Sequence, residues 1–154
     1  MKYLIVIDMQ KDFVTGALGT KEAQAILPSV ISRIEAAKAA GETVLYTLDT
    51  HETDYMNTAE GSKLPVPHCI RDTAGWLPED GVLEALEGTL GFEKPTFGSI
   101  ELADYLASQS EDPSGKGMII ELCGVCTDIC VVSNTLLMGM QTSTATMENS
   151  VEIP

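Results

Sequence analysis

Three short apolar runs rich in β-branched residues constrain this chain more than any other feature: residues 2–7 (KYLIVI), 43–48 (TVLYTL) and 118–122 (MIIEL). Runs without polar alternation fit strands covered on both faces, as in a parallel sheet. The first two stop at an aspartate, Asp8 and Asp49. Between them, Ile26, Val30, Ile31 and Ile34 recur at spacings of three and four, which predicts an amphipathic helix over 21–40 with Gly41 at its stop and Pro28 in its first turn. Ile129, Val132, Leu136 and Met140 give the same spacing over 127–140. Shorter elements are expected at 81–87 (a helix capped by Asp80), 90–93 (a weak strand) and 100–108 (a helix capped by Ser99). Strands alternating with crossover helices predict an α/β fold, a three-layer α/β/α sandwich around a mostly parallel sheet with Rossmann-like topology. Ligands of such folds bind outside the carboxyl ends of the strands.

The 154 residues are expected to form a single domain, 1–154, and 44% hydrophobic with 21% charged residues is the composition of a folded chain. A formal net charge of −14 repels phosphate backbones and anionic headgroups, so neither nucleic acid nor a membrane surface is an expected partner. No apolar stretch approaches the ~18 residues of a membrane helix. The start, MKYLIVIDMQKDF, lacks a signal-peptide cleavage site. Three of the four cysteines fall within eight positions, which does not suit a disulfide framework, and a reduced, cytoplasmic protein is expected.

About thirty residues, from Asp49 to Pro78, show neither helical nor strand periodicity, yet hold both histidines and the only tryptophan. A loop of that length in a compact domain reads as an active-site loop. Asp8, directly after a buried run, is either a desolvated general base or a solvated strand-end carboxylate. Lys94, before Pro95, is a candidate only in company. In LCGVCTDICVVSN a strand, a glycine turn and a helix start put Cys130 in the first helical turn, where free N–H groups and the helix dipole favour a thiolate. Free cysteine is also among the most buried residue types, which is the competing reading of Cys130 and the expected one of Cys123 within the strand, and Cys123, Cys126 and Cys130 could alternatively hold zinc or a cluster. Asp49 and His51, two apart on an extended segment, project to one side, and His68 can return to them. One carboxylate and two imidazoles suit Zn²⁺, Fe²⁺ or Mn²⁺, although loop histidines can also simply bond backbone.

Taken jointly, IVIDMQKDF, YTLDTH, PHCIRDTAGW, FEKPTFGS and CGVCTDICVVSN resemble the isochorismatase-like cysteine hydrolases, in particular the nicotinamidase branch, over nearly the whole chain to about Met140. The resemblance implies a catalytic triad of Asp8, Lys94 and Cys130. It implies an oxyanion hole from the backbone N–H groups of Cys126 and Cys130, with a cis peptide bond between Val125 and Cys126. It implies a divalent metal, zinc first and iron or manganese next, on Asp49, His51 and His68, and Phe13 as one wall of the substrate site. The expected reaction is hydrolysis of a small carboxamide, nicotinamide to nicotinate plus ammonia, through a thioester, in a homo-oligomer.

Two departures from the family pattern stand out. Nicotinamidases usually carry an aromatic residue three before the second histidine, where this chain has Pro65. After Met140 the family expects a buried strand, a loop and an amphipathic helix, whereas QTSTATMENSVEIP is small and polar. Residues 141–154 are therefore expected to be an atypical, irregular tail, with the last strand and helix missing and apolar surface on 127–140 uncovered. A working amidohydrolase and a shortened binding or pseudo-enzyme module are the two functional readings, and the intact triad and metal positions favour the first.

Overall fold

The computed structural model describes residues 1–110 and 117–140, with the backbone alone of 141, 146 and 147. Strands β1 (Lys2–Ile7), β2 (Thr43–Asp49), β3 (Leu90–Lys94), β4 (Ile119–Gly124) and β5 (Thr146–Met147) form one sheet in the order β3-β2-β1-β4-β5. Every pairing is parallel. The chain leaves β1 toward β2 and β3, then crosses back to place β4 on the other side of β1. The crevice at the carboxyl ends of β1 and β4 is thus a topological switch point.

Alternation along β1 explains the layers. Tyr3, Ile5 and Ile7 face a core completed by Phe92, Ile120 and Leu122 and covered by α5 (Ile100–Gln109) and α6 (Val132–Gln141). Leu4 and Val6 face the opposite core, covered by α2 (Lys21–Ala39) and α4 (Asp80–Ala85) through Val30, Ile34, Ala37 and Val82. Both faces are buried, which is why the run carries no polar alternation. The three-layer α/β/α reading holds. Among the described residues no helix is long and apolar enough to cross a membrane.

Several local expectations shift. The expected start of α2 holds, behind Thr20, whose hydroxyl accepts the Ala23 N–H at 3.0 Å, and that start puts Pro28 about two turns inside the helix rather than in its first turn. The cap of α4 is Glu79, and Asp80 is its first residue, paired with Lys11. Ser99 caps α5 as expected, accepting from the Leu102 N–H. The long loop after β2 has structure of its own: α1 (Lys11–Val14) packs against the 3₁₀ turn Ala74–Trp76, and a second such turn, Tyr55–Asn57, leads into α3 (Ala59–Lys63).

The segment expected as one helix over 127–140 is a π turn, Thr127–Val131, followed by α6. The Val131 N–H reaches back to the Cys126 carbonyl at 3.1 Å, and the Asn134 side chain donates to the Cys130 carbonyl at 2.8 Å. A side chain thus takes an acceptor that a regular helix would use. Ile129, Val132, Leu136 and Met140 are exposed, while Cys130, Asn134 and Met138 face inward. Of the expected irregular tail, Thr146–Met147 instead pairs parallel with Ile119 and Ile120 as a short edge strand, so a strand stands where none was expected. The rest of 142–154 lies outside the described residues.

Candidate active site

Strand register brings the chemistry together. Ile7 is paired with Thr47 on one side and Gly124 on the other, and Asp49 is paired with Lys94, so four strands end side by side. Asp8 follows β1 in a left-handed conformation (φ 49°), one that aspartate adopts more readily than most residues. Gly124, at φ 125°, ends β4, and a Cβ there would lie 2.1 Å from the Ile7 carbonyl oxygen. Only glycine allows β4 to come this close to β1 before the chain turns into the cis Val125–Cys126 peptide and on to Cys130.

The Lys94 ammonium lies at the centre of the cluster. It stands 2.7 Å from Asp8 Oδ2 and 3.4 Å from Asp49 Oδ1, donates to the Thr96 carbonyl at 3.2 Å, and reaches Cys130 Sγ at 3.7 Å. Asp8 and Lys94 have no solvent exposure. Thr47 donates to Asp8 Oδ1 at 2.6 Å, which leaves Oδ2 to face the ammonium. Burial pushes Asp8 above the usual carboxylate range, with the Lys94 charge pulling the other way. Burial works against the Lys94 charge, but Asp8 and Asp49 outweigh it and hold the amine above its ordinary value.

Cys130 departs from expectation. It sits in the π turn rather than in the first turn of an α-helix, and burial, reinforced by the Asp8 carboxylate, pushes its thiol well up. The helix-start stabilisation expected for a thiolate is thus opposed here by burial and by the neighbouring carboxylate. Cys123 packs into the α2 side of the sheet with its thiol pushed up to about 12, Cys126 is exposed, and Cys130 lies in the opposite core. The three cysteines therefore do not converge on an ion.

Asp49, His51 and His68 do converge: one ligand atom from each lies within 4.8 Å of the others. Asp49 Oδ2 is 3.0 Å from His51 Nε2 and 3.6 Å from His68 Nε2. Donors around a tetrahedral zinc with bonds of about 2.0–2.1 Å stand roughly 3.3 Å apart, so the spacing fits. The donor set fits as well, because the backbone carbonyl of Val66 holds His68 Nδ1 at 2.8 Å and leaves Nε2 for the ion. Burial opposes the Asp49 charge, but His51, His68 and Lys94 together hold its carboxyl far below the usual range. Phe13, half-buried on α1, has its ring centroid 5.4 Å from that of His68. Pro65 is exposed and supplies no aromatic wall.

Four neighbours escaped the sequence reading. Glu60 Oε1 lies 3.8 Å from both His51 Nε2 and His68 Nε2, brought there by α3, whose cap Thr58 accepts the Gly61 N–H. The signal was available as a Thr two residues before a Glu inside the ligand-bearing loop. Asp12 accepts the Cys69 N–H at 2.8 Å and lies so close to Gly75 that a Cβ there would meet its carboxylate. Thr47 and Gln10, both buried, carry no local periodicity or motif spacing that singles them out in the sequence.

Relatives of known structure share this architecture. The pyrazinamidase of Pyrococcus horikoshii, solved in complex with zinc, superposes with a TM-score of 0.73 at 29% identity, covering 92% of this chain and 79% of that one. The pyrazinamidase/nicotinamidase of Streptococcus mutans gives 0.81 at 24% identity, over 97% and 84% of the two chains. The N-carbamoylsarcosine amidase of Thermoplasma acidophilum gives 0.77 at 21%, over 95% and 79%. No curated protein sequence matches the chain. The model of the Isochorismatase domain matches residues 2–142, nearly the full described fold and every residue of the cluster, and the chain belongs to that family of hydrolases.

Proposed function

We propose that the protein is a cysteine hydrolase of small carboxamides, nicotinamidase-like, with Cys130 as nucleophile, Asp8 as general base and Lys94 as the cation that supports both. The observation that carries this reading is the buried contact of Lys94 with Asp8 at 2.7 Å and with Cys130 Sγ at 3.7 Å, at the carboxyl ends of a parallel sheet. The thiol gives its proton to Asp8 Oδ2 as Sγ attacks the amide carbonyl carbon, and Lys94 offsets the charge that appears on sulfur. The backbone N–H groups of Cys126 and Cys130 receive the carbonyl oxygen as it becomes an oxyanion. The C–N bond breaks, the amine takes the proton from Asp8 and leaves as ammonia, and a thioester remains. Asp8 then removes a proton from water, which attacks the thioester; the carboxylate product departs and the thiol is restored.

Asp49, His51 and His68, with Glu60 within reach, are the proposed holders of one divalent ion, zinc by their donor chemistry; such an ion supplies a Lewis-acid contact for a substrate heteroatom. Phe13 gives the substrate one flat apolar wall. With proline at position 65 in place of the family's usual aromatic residue, no second aromatic wall is supplied there, so simple carboxamides and N-carbamoyl compounds belong in the substrate panel beside nicotinamide and pyrazinamide. Ammonia release from that panel is the test. Cys130→Ala abolishes release, whereas Cys69→Ser, Cys123→Ala and Cys126→Ala retain a substantial fraction, because Cys126 contributes only its backbone N–H. Turnover by the Cys130 variant would sink the mechanism.

A further inference from the structure

We propose that Gln10 is the positioning residue that fixes the Asp49 carboxylate between Lys94 and the two imidazoles, and so sets the metal affinity of the site; this rests on the reading of Asp49, His51 and His68 as ligands. Gln10 has no solvent exposure and is not a ligand, a base or a substrate contact. Its carboxamide grips Asp49 from both sides: Oε1 accepts the Asp49 N–H at 2.8 Å, and Nε2 donates to the Asp49 carbonyl, also at 2.8 Å. Nε2 donates a second time to the Trp76 carbonyl at 2.8 Å. One side chain therefore ties the end of β2 to the turn that closes the ligand-bearing loop. Its own backbone is fixed by the bond from its N–H to the Asp8 carbonyl at 2.7 Å and by an antiparallel bridge to Pro78.

The consequence follows from what Asp49 must do. Its two oxygens serve different partners, Oδ1 the Lys94 ammonium at 3.4 Å and Oδ2 the two histidines at 3.0 and 3.6 Å. Because both sets depend on where the Asp49 backbone holds the carboxylate, a group that fixes that backbone also fixes the ligand geometry. Groups that orient ligands typically change metal affinity 10–100-fold when removed.

Zinc affinity, read by competition with a chromophoric chelator, is compared in the parent chain, Gln10→Met and Ile34→Ala. The methionine keeps the side-chain volume and removes all three hydrogen bonds. Ile34 is buried in the α2 core away from the strand ends, so its truncation lowers the melting temperature without touching the site. Gln10→Met should bind zinc 10–100-fold more weakly than the parent, while Ile34→Ala stays within about twofold of it. If Gln10→Met does not fold, Gln10→Asn, with the same group on a shorter stem, is held to the same criterion. Equal affinity in the Gln10 variant and the parent overturns the inference alone, as does an equal loss in Ile34→Ala, which would make the effect one of general stability. A parent that neither binds zinc nor cleaves an amide overturns the reading of the site and the inference with it.

Discussion

The same sheet carries two clusters of charge that are built in opposite ways. At the carboxyl ends of the strands, Asp8, Asp49 and Lys94 are buried, with two carboxylates for one ammonium. On the α2 side, Lys2, Arg33, Glu42 and Glu121 form a balanced set of two cations and two anions in contact with solvent. Arg33 holds both Glu121 oxygens at 2.7 Å and Glu42 at 2.6 Å, the bidentate geometry that suits guanidinium. The second cluster is charge-neutral and hydrated, so it needs no further partner. The first is one positive charge short in a dry crevice, an arrangement that costs stability unless the imidazoles or a bound cation make up the difference. Stability alone would not select it; proton transfer and cation binding would.

Breaking the dry cluster should therefore hurt most. Lys94→Met leaves two buried carboxylates uncompensated and should cost about 3–5 kcal/mol, with amide hydrolysis lost. Pairing it with Asp8→Asn removes the charge that Lys94 opposes, so the double variant should be more stable than Lys94→Met alone although equally inactive. Denaturant unfolding of the single and double variants decides the matter. A double variant less stable than Lys94→Met would mean that the pair is a structural ion pair like the other cluster.

How much of this was legible beforehand follows from what each residue depends on. Strands β1, β2 and β4 were readable because both their faces are buried, and burial on both faces is a property of composition. Asp8, Asp49, Lys94 and Cys130 were singled out from their places near strand ends, His51 and His68 from the extended spacing and the return of the loop, and all six from the joint resemblance of five segments. The state of the Cys130 thiol was not legible. Sequence spacing pointed to a helix start, but the chain forms a π turn in which Asn134 bonds the Cys130 carbonyl, and burial beside Asp8 pushes the thiol up. Gln10, Thr47 and Glu60 were missed for a related reason. Each acts through a partner 39 positions away or across a loop, and no local period reports such a pairing. Pro28 was misplaced because it was read as a first-turn proline, although a helix starting at residue 21 already puts it about two turns in.

A smaller effect separates the clusters by ligand. Zinc at a hundred times its dissociation constant should stabilise the parent by about 2.7 kcal/mol, and a chelator should remove that gain. His68→Ala should abolish the difference between zinc and chelator, while Arg33→Met should leave it intact, as followed by melting temperature. A zinc-dependent shift that survives in His68→Ala would move the ion away from the loop histidines.

The smallest effect belongs to the wet cluster and shows in acid. The Arg33 guanidinium holds Glu121 below its ordinary value of 4.5; for Glu42 partial burial acts in the opposite sense, but Arg33 and Lys2 prevail and lower it too. A carboxyl whose folded value is depressed contributes stability that is present above the unfolded value and is lost as pH falls through the folded one. The loss from this cluster therefore begins near pH 4.5 and proceeds downward. Asp8, pushed up by burial, works in the opposite sense, since protonation costs the folded state less than the unfolded one as the solution is acidified. The two contributions overlap in the parent, so the informative quantity is the difference between the parent and Arg33→Met. That variant should lose on the order of 1 kcal/mol at neutral pH and show a shallower fall in unfolding free energy between about pH 5 and pH 3, because its glutamates have lost the guanidinium that depressed them. Parallel curves for parent and variant over that range would mean that the ion pairs on the α2 side are contacts without energetic weight, leaving the dry crevice as the site of all the electrostatic free energy that matters here.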